Sequence, residues 1–75
     1  MVTICIAGGK KDKVRPGDIL GALTGDAGLE GNDVGKIDIF NFVAYVAIKR
    51  GQANAALSQL ERGKIKGRRF KVKRL

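Results

Sequence analysis

Histidine and tryptophan do not occur in this chain of 75 residues, and cysteine, proline, methionine and tyrosine occur once each. Each absence closes off some chemistry. Without histidine, and with Cys5 alone, neither a zinc cluster nor an internal disulfide can be assembled. A nucleophile with its general base is equally hard to compose, because Cys5 stands inside an alternating apolar run and no imidazole exists to activate it. No apolar stretch approaches the roughly 18 residues of a membrane span, and nothing at the start reads as a cleavable leader. The expectation is a soluble, cytoplasmic chain with no catalytic site, metal or cofactor of its own, and its length allows one small core of about two layers.

Negative charge is also scarce. Seven Asp and Glu face 15 Lys and Arg, a net charge of +8, and a field of that sign on so small a body attracts polyanions, nucleic acid before anionic membrane or acidic protein. The charge is unevenly spread. Residues 1–15 carry Lys10, Lys11, Lys13 and Arg15 against Asp12, a net of +3, whereas residues 16–48 carry Lys36 against Asp18, Asp26, Glu30, Asp33 and Asp38, a net of −4. Residues 49–75 reverse the sign again, with ten cations against Glu61 and a net of +9. A basic face built from the two ends of the chain requires that those ends meet.

Periodicity predicts that they do. Val2, Ile4 and Ile6 alternate with Thr3, Cys5 and Ala7 until Gly8 and Gly9 end the run, as in a strand with one face buried. Pro16 and Asp18 suit the first turn of a helix running to about Ala27, within which Gly21 and Gly25 are expected to mark close packing against a sheet. The loop "GLEGNDVG" (28–35) leads into a strand carrying Ile37 and Ile39 inward, and a tight connection at Asn41 leads to a third strand, Phe42 to Ile48, with Phe42, Ala44, Val46 and Ile48 inward. Ala53, Ala56, Leu57 and Leu60 then define an amphipathic helix closed by Gly63, and Arg68 to Leu75 alternate as a fourth strand with Phe70 and Val72 inward. The order βαββαβ predicts an α+β, ferredoxin-like sandwich, a four-stranded antiparallel sheet with both helices on one face, strands 1 and 3 central, and strand 4 beside strand 1.

Three features carry candidate chemistry. The loop "GGKKDKVRPGD" (8–18) suggests a phosphate cradle, but it lacks the G-x-x-x-x-G-K-[ST] spacing and the hydroxyl that would hold magnesium. Its cations Lys10, Lys11, Lys13 and Arg15 read instead as a clamp for a phosphate backbone, with Arg15 fixed by Pro16 and able to fork onto phosphate or guanine. Tyr45 is the one aromatic expected on the open sheet face, where a ring can stack on an unpaired base, and Lys71 and Lys73 are expected to share that face. Asp18 reads as a helix-start residue, and Asp12 and Asp38 show no partner.

The layout resembles an RNA recognition motif, and "NFVAYVAI" looks like a degenerate form of its longer sequence motif, with Val43 and Cys5 where aromatics stand in that motif. Taken together, "GGKKDKVRPGDILGALTGDAGL", "DVGKIDIFNFVAYVAI" and "GKIKGRRFKVKRL" closely resemble the C-terminal RNA-binding domains of bacterial DEAD-box RNA helicases of the DbpA family. That resemblance implies a single domain, residues 1–75, that tethers a helicase to a hairpin of 23S ribosomal RNA near the peptidyl-transferase centre during large-subunit assembly. It implies further that ATP and magnesium belong to a helicase core outside these residues, that the domain acts as a monomer, and that Lys64, Lys66 and Arg68 join the loop cations in binding RNA. The alternative from another class is a protein-interaction domain for an acidic ribosomal or helicase partner, which requires an exposed apolar patch on the helices.

Overall fold

The computed structural model describes residues 1–26, 29–62, 65 and 69–75. Four strands, β1 (Val2–Ile6), β2 (Val34–Ile39), β3 (Ala44–Ile48) and β4 (Val72–Arg74), form one sheet in the order β2-β3-β1-β4, every pair antiparallel. Helix α1 (Pro16–Gly21) continues into a wider π-helical turn, Ala22–Asp26, and α2 (Ala53–Arg62) follows a 3-10 turn at Arg50–Gln52. No described helix is long and apolar enough to cross a membrane. The expected topology and strand order therefore hold.

Period-2 alternation translates directly into burial. Val2, Ile4 and Ile6 of β1 and Ala44, Val46 and Ile48 of β3 are buried, while Thr3, Cys5, Tyr45 and Ala47 between them are half-buried on the opposite face. The inward set packs with Ile19 and Leu23 beyond α1's first turn, Ala53, Ala56 and Leu60 of α2, and Val14, Leu29 and Ile65. Each of the larger members gains about 1.5–3 kcal/mol by leaving water. The helices thus use up one face of the sheet and leave the other open.

Local turns repeat one device. Asp12, Asp18 and Asp33 each accept a hydrogen bond from the backbone N–H three residues earlier, Gly9 at 3.1 Å, Arg15 at 3.0 Å and Glu30 at 3.1 Å, closing the start of a helical turn. Asp18 is accordingly a helix-start residue, and Asp12 does have a partner. Replacing Asp18 by alanine should cost about 1 kcal/mol, visible as a fall of about 5 °C in melting temperature.

Four sequence expectations change. Phe42 is 70% exposed and outside β3, because the Phe40 N–H closes on the Val43 carbonyl at 2.8 Å and the chain is still turning at residue 42. Gly21 and Gly25 mark no close packing, since a Cβ on either would meet nothing within 4 Å. Strand β2 begins at Val34 rather than after residue 35, with an irregular register between Val34 and Ile37. Strand β4 proper is Val72–Arg74, although pairing extends to Lys71, whose carbonyl accepts the Ala7 N–H at 2.8 Å, and to Leu75, whose N–H donates to the Thr3 carbonyl at 2.9 Å. Ala27 and Gly63, the expected helix ends, lie outside the described residues.

Candidate nucleic-acid interface

The antiparallel register lines up side chains across the open face. One row runs Asp38, Tyr45, Cys5, Lys73 from edge to edge, and Ala7 lies beside Lys71 on the same face. The face is therefore polarised, with a carboxylate on β2, an apolar and aromatic middle, and two lysines, Lys71 and Lys73, along the β4 edge. Asp38 is held by Lys36 at 3.7 Å, an exposed pair worth at most about 1 kcal/mol. Between β1 and β4 lies a shallow depression of about 380 Å³, lined by Cys5, Ala7, Lys71, Val72 and Lys73.

Alternation on β4 divides its cations. Lys71 and Lys73 lie on the open face as expected, whereas Arg74 reaches the helix side and donates to the Asn54 side-chain carbonyl at 3.2 Å. Arg69, ahead of the strand and outside its alternation, donates to the Glu61 backbone carbonyl at 3.5 Å. These arginines tie the strand to α2, leaving the lysines to face outward.

The basic loop is built against the β2–β3 turn. Lys10–Asp12 form one 3-10 turn, and the Lys10 and Lys11 N–H groups donate to the Phe40 and Asn41 carbonyls at 2.8 and 2.9 Å. Lys13 adopts the left-handed conformation, φ 62°, which turns the chain so that Val14 is buried and Arg15 emerges exposed before α1. Gly9 makes this docking possible, because a Cβ there would stand 2.1 Å from the Phe40 carbonyl oxygen and 2.8 Å from the Val43 nitrogen. Gly8 leaves room in the same way for the Phe70 ring, which lies 2.5 Å from where its Cβ would be.

Because β4 is antiparallel to β1, Lys71, immediately before β4, lies at the end of the sheet where β1 runs into the loop. Lys10, Lys11, Lys13 and Arg15 therefore share one end of the molecule with the β2–β3 turn and the first residues of β4, and the two basic ends of the chain do meet. Lys64, Lys66 and Arg68 lie outside the described residues. Two residues outside the expected RNA-contact set belong to this corner: Phe40, whose place at the turn between the second and third strands predicts exposure, and Phe42, which the sequence pattern turned inward; they are 53% and 70% exposed. Phe40 meets Tyr45 edge-on, with ring centroids 5.8 Å apart and planes at 74°, so Tyr45 is not the lone aromatic of the open face. The signal was available for Phe40, which follows Asp38 by two residues on the outward side of β2; for Phe42 the alternation of β3 pointed inward.

A polarised sheet face with cations and rings gathered at one corner suits a chain of phosphates and bases, and the similarity to known proteins agrees. The model of the family described as the DbpA RNA-binding domain matches residues 3–74. The chain belongs to that family. It is 55% identical over its whole length to the ATP-dependent RNA helicase DbpA of Escherichia coli (strain K12), of which it covers 16%. It is 34% identical over 65 residues to the ATP-dependent RNA helicase DbpA of Bacillus subtilis (strain 168), covering 87% of this chain and 14% of that relative. The chain thus spans about one-sixth of the length of its E. coli relative.

Proposed function

We propose that this domain binds structured RNA through the corner where the loop Lys10–Arg15, the β2–β3 turn and the lysines of β4 converge, and that its target is a hairpin of 23S ribosomal RNA near the peptidyl-transferase centre. In the full protein it would tether an ATP-dependent DEAD-box helicase, whose ATP and magnesium sites lie in another domain, to the large ribosomal subunit during assembly. The observation that carries this reading is the convergence of two basic segments, far apart in sequence, on one end of an open sheet face. Phosphate contacts supply most of the affinity and fix the register, and groups at the corner read the unpaired nucleotides. The competing reading, a protein-interaction domain for an acidic partner, needs an apolar patch on the helices. Among the described large hydrophobics only Leu20 is exposed on a helix, at 38%.

Titrating the hairpin at several salt concentrations tests the proposal. Affinity should fall with a log–log slope of roughly −0.7 for every phosphate neutralised on unpaired segments. Equal affinity for an unrelated RNA of the same length would remove the claim of specificity. Arg15→Ala and Tyr45→Ala separate clamping from stacking. Arg15→Ala should show the larger loss, and if neither changes the dissociation constant by more than about threefold, equivalent to roughly 0.7 kcal/mol, the interface lies elsewhere.

A further inference from the structure

Two of the three phenylalanines of this chain are spent outside its core, Phe40 at 53% and Phe42 at 70% exposure. The turn carrying them is nonetheless firmly held. The Phe40 N–H donates to the Val43 carbonyl, while the Phe40 and Asn41 carbonyls accept from the Lys10 and Lys11 N–H groups, all within 2.8–2.9 Å. The hydrogen bonds that fix the rings' backbone therefore also fix two lysines beside it, and the Lys10 and Lys11 side chains are exposed.

Resting on the RNA-binding reading above, we propose that Phe42 is a stacking platform for an unpaired nucleobase, with Lys10 and Lys11 taking the flanking phosphates. The Phe40–Tyr45 pair sets two further rings between the same turn and the open face. A phenyl ring offers an apolar face that any base can cover, whereas an ammonium group answers only the phosphate between bases. Rings and cations set side by side thus match the alternation of base and phosphate along a single strand. An apolar peptide would use the rings and leave the adjoining positive charge unanswered. The centre of the sheet, with Cys5, Ala7 and Val43 across β1 and the turn into β3, has no ring except Tyr45, so base contacts are displaced toward the corner.

The test uses Phe42→Ala, Phe42→Leu and Phe42→Trp in the intact chain, each titrated with the ribosomal hairpin and with a blunt duplex of its stem alone. Alanine and leucine should each weaken hairpin binding about tenfold with an unchanged salt slope, and neither should alter binding to the stem. Tryptophan should bind within about twofold of the parent, and since the chain has no other tryptophan, its fluorescence should be quenched by the hairpin and not by the stem. Melting temperatures should stay constant, because the ring is outside the core. Leucine binding as well as phenylalanine, or alanine losing less than about twofold, would overturn the platform while leaving RNA binding intact. A parent chain that binds neither RNA would overturn both.

Discussion

Alanine at Lys10, Lys11 and Arg15 together should lower affinity for the ribosomal hairpin on the order of 100-fold near 0.1 M salt and make the salt dependence shallower by about 2 log units per decade. All three side chains are exposed, and their structural work is done by backbone atoms. The Lys10 and Lys11 N–H groups hold the β2–β3 turn, and the Arg15 N–H donates to Asp18, so alanine keeps every one of these bonds. Stability should consequently change by no more than about 0.5 kcal/mol. Lys13 is best left in place, because its left-handed backbone would mix a conformational effect with the loss of charge. Binding curves at four salt concentrations, with a melting curve for each variant, check the prediction; an unchanged slope would mean that these cations do not meet phosphates.

Gly9→Ala should be the most damaging single change in the loop, lowering the melting temperature by about 10 °C and hairpin affinity with it. The added methyl would stand 2.1 Å from the Phe40 carbonyl oxygen and 2.8 Å from the Val43 nitrogen. Both are backbone atoms of a turn closed by its own hydrogen bond, so neither can yield by changing a rotamer. The loop must lift, losing the bonds from Lys10 and Lys11, and overpacking of this kind costs typically 1–3 kcal/mol, which in a domain of this size is about 4–8 °C per kcal/mol. Gly17→Ala is the control. A Cβ there meets nothing within 4 Å, and alanine suits a helix better than glycine by about 1 kcal/mol, so its melting temperature should hold or rise. Parallel thermal melts of the two variants decide the matter, and equal melting temperatures would contradict the docking of loop on turn.

Those two predictions also show what was legible in the sequence. Alternation in β1 and β3 and the spacing Ala53, Ala56, Leu57, Leu60 reflect burial, which acts on every residue of an element, so topology and strand order could be read from one chain. The charge split was equally legible, since antiparallel pairing of β4 with β1 follows from that topology. Gly9 was visible only as the end of a strand, because what requires it is the carbonyl of a residue 31 positions later. Phe42 was misread because a period-2 pattern carries no mark of where the strand begins, and the turn closed by Phe40 and Val43 ends two residues later than the hydrophobicity suggests. Gly21 and Gly25 were misread for the opposite reason, since a glycine that fills no close approach looks identical to one that does.

Amide chemical-shift mapping during titration with the ribosomal hairpin tests most directly whether RNA meets the corner formed by the loop, the β2–β3 turn and β4. The largest shifts should fall on Lys10 to Arg15, Asn41, Phe42, Tyr45, Lys71 and Lys73, and fade as salt is raised. Shifts concentrated instead on the outward residues of α2, Asn54, Ser58, Gln59 and Glu61, with the loop unmoved, would contradict that contact.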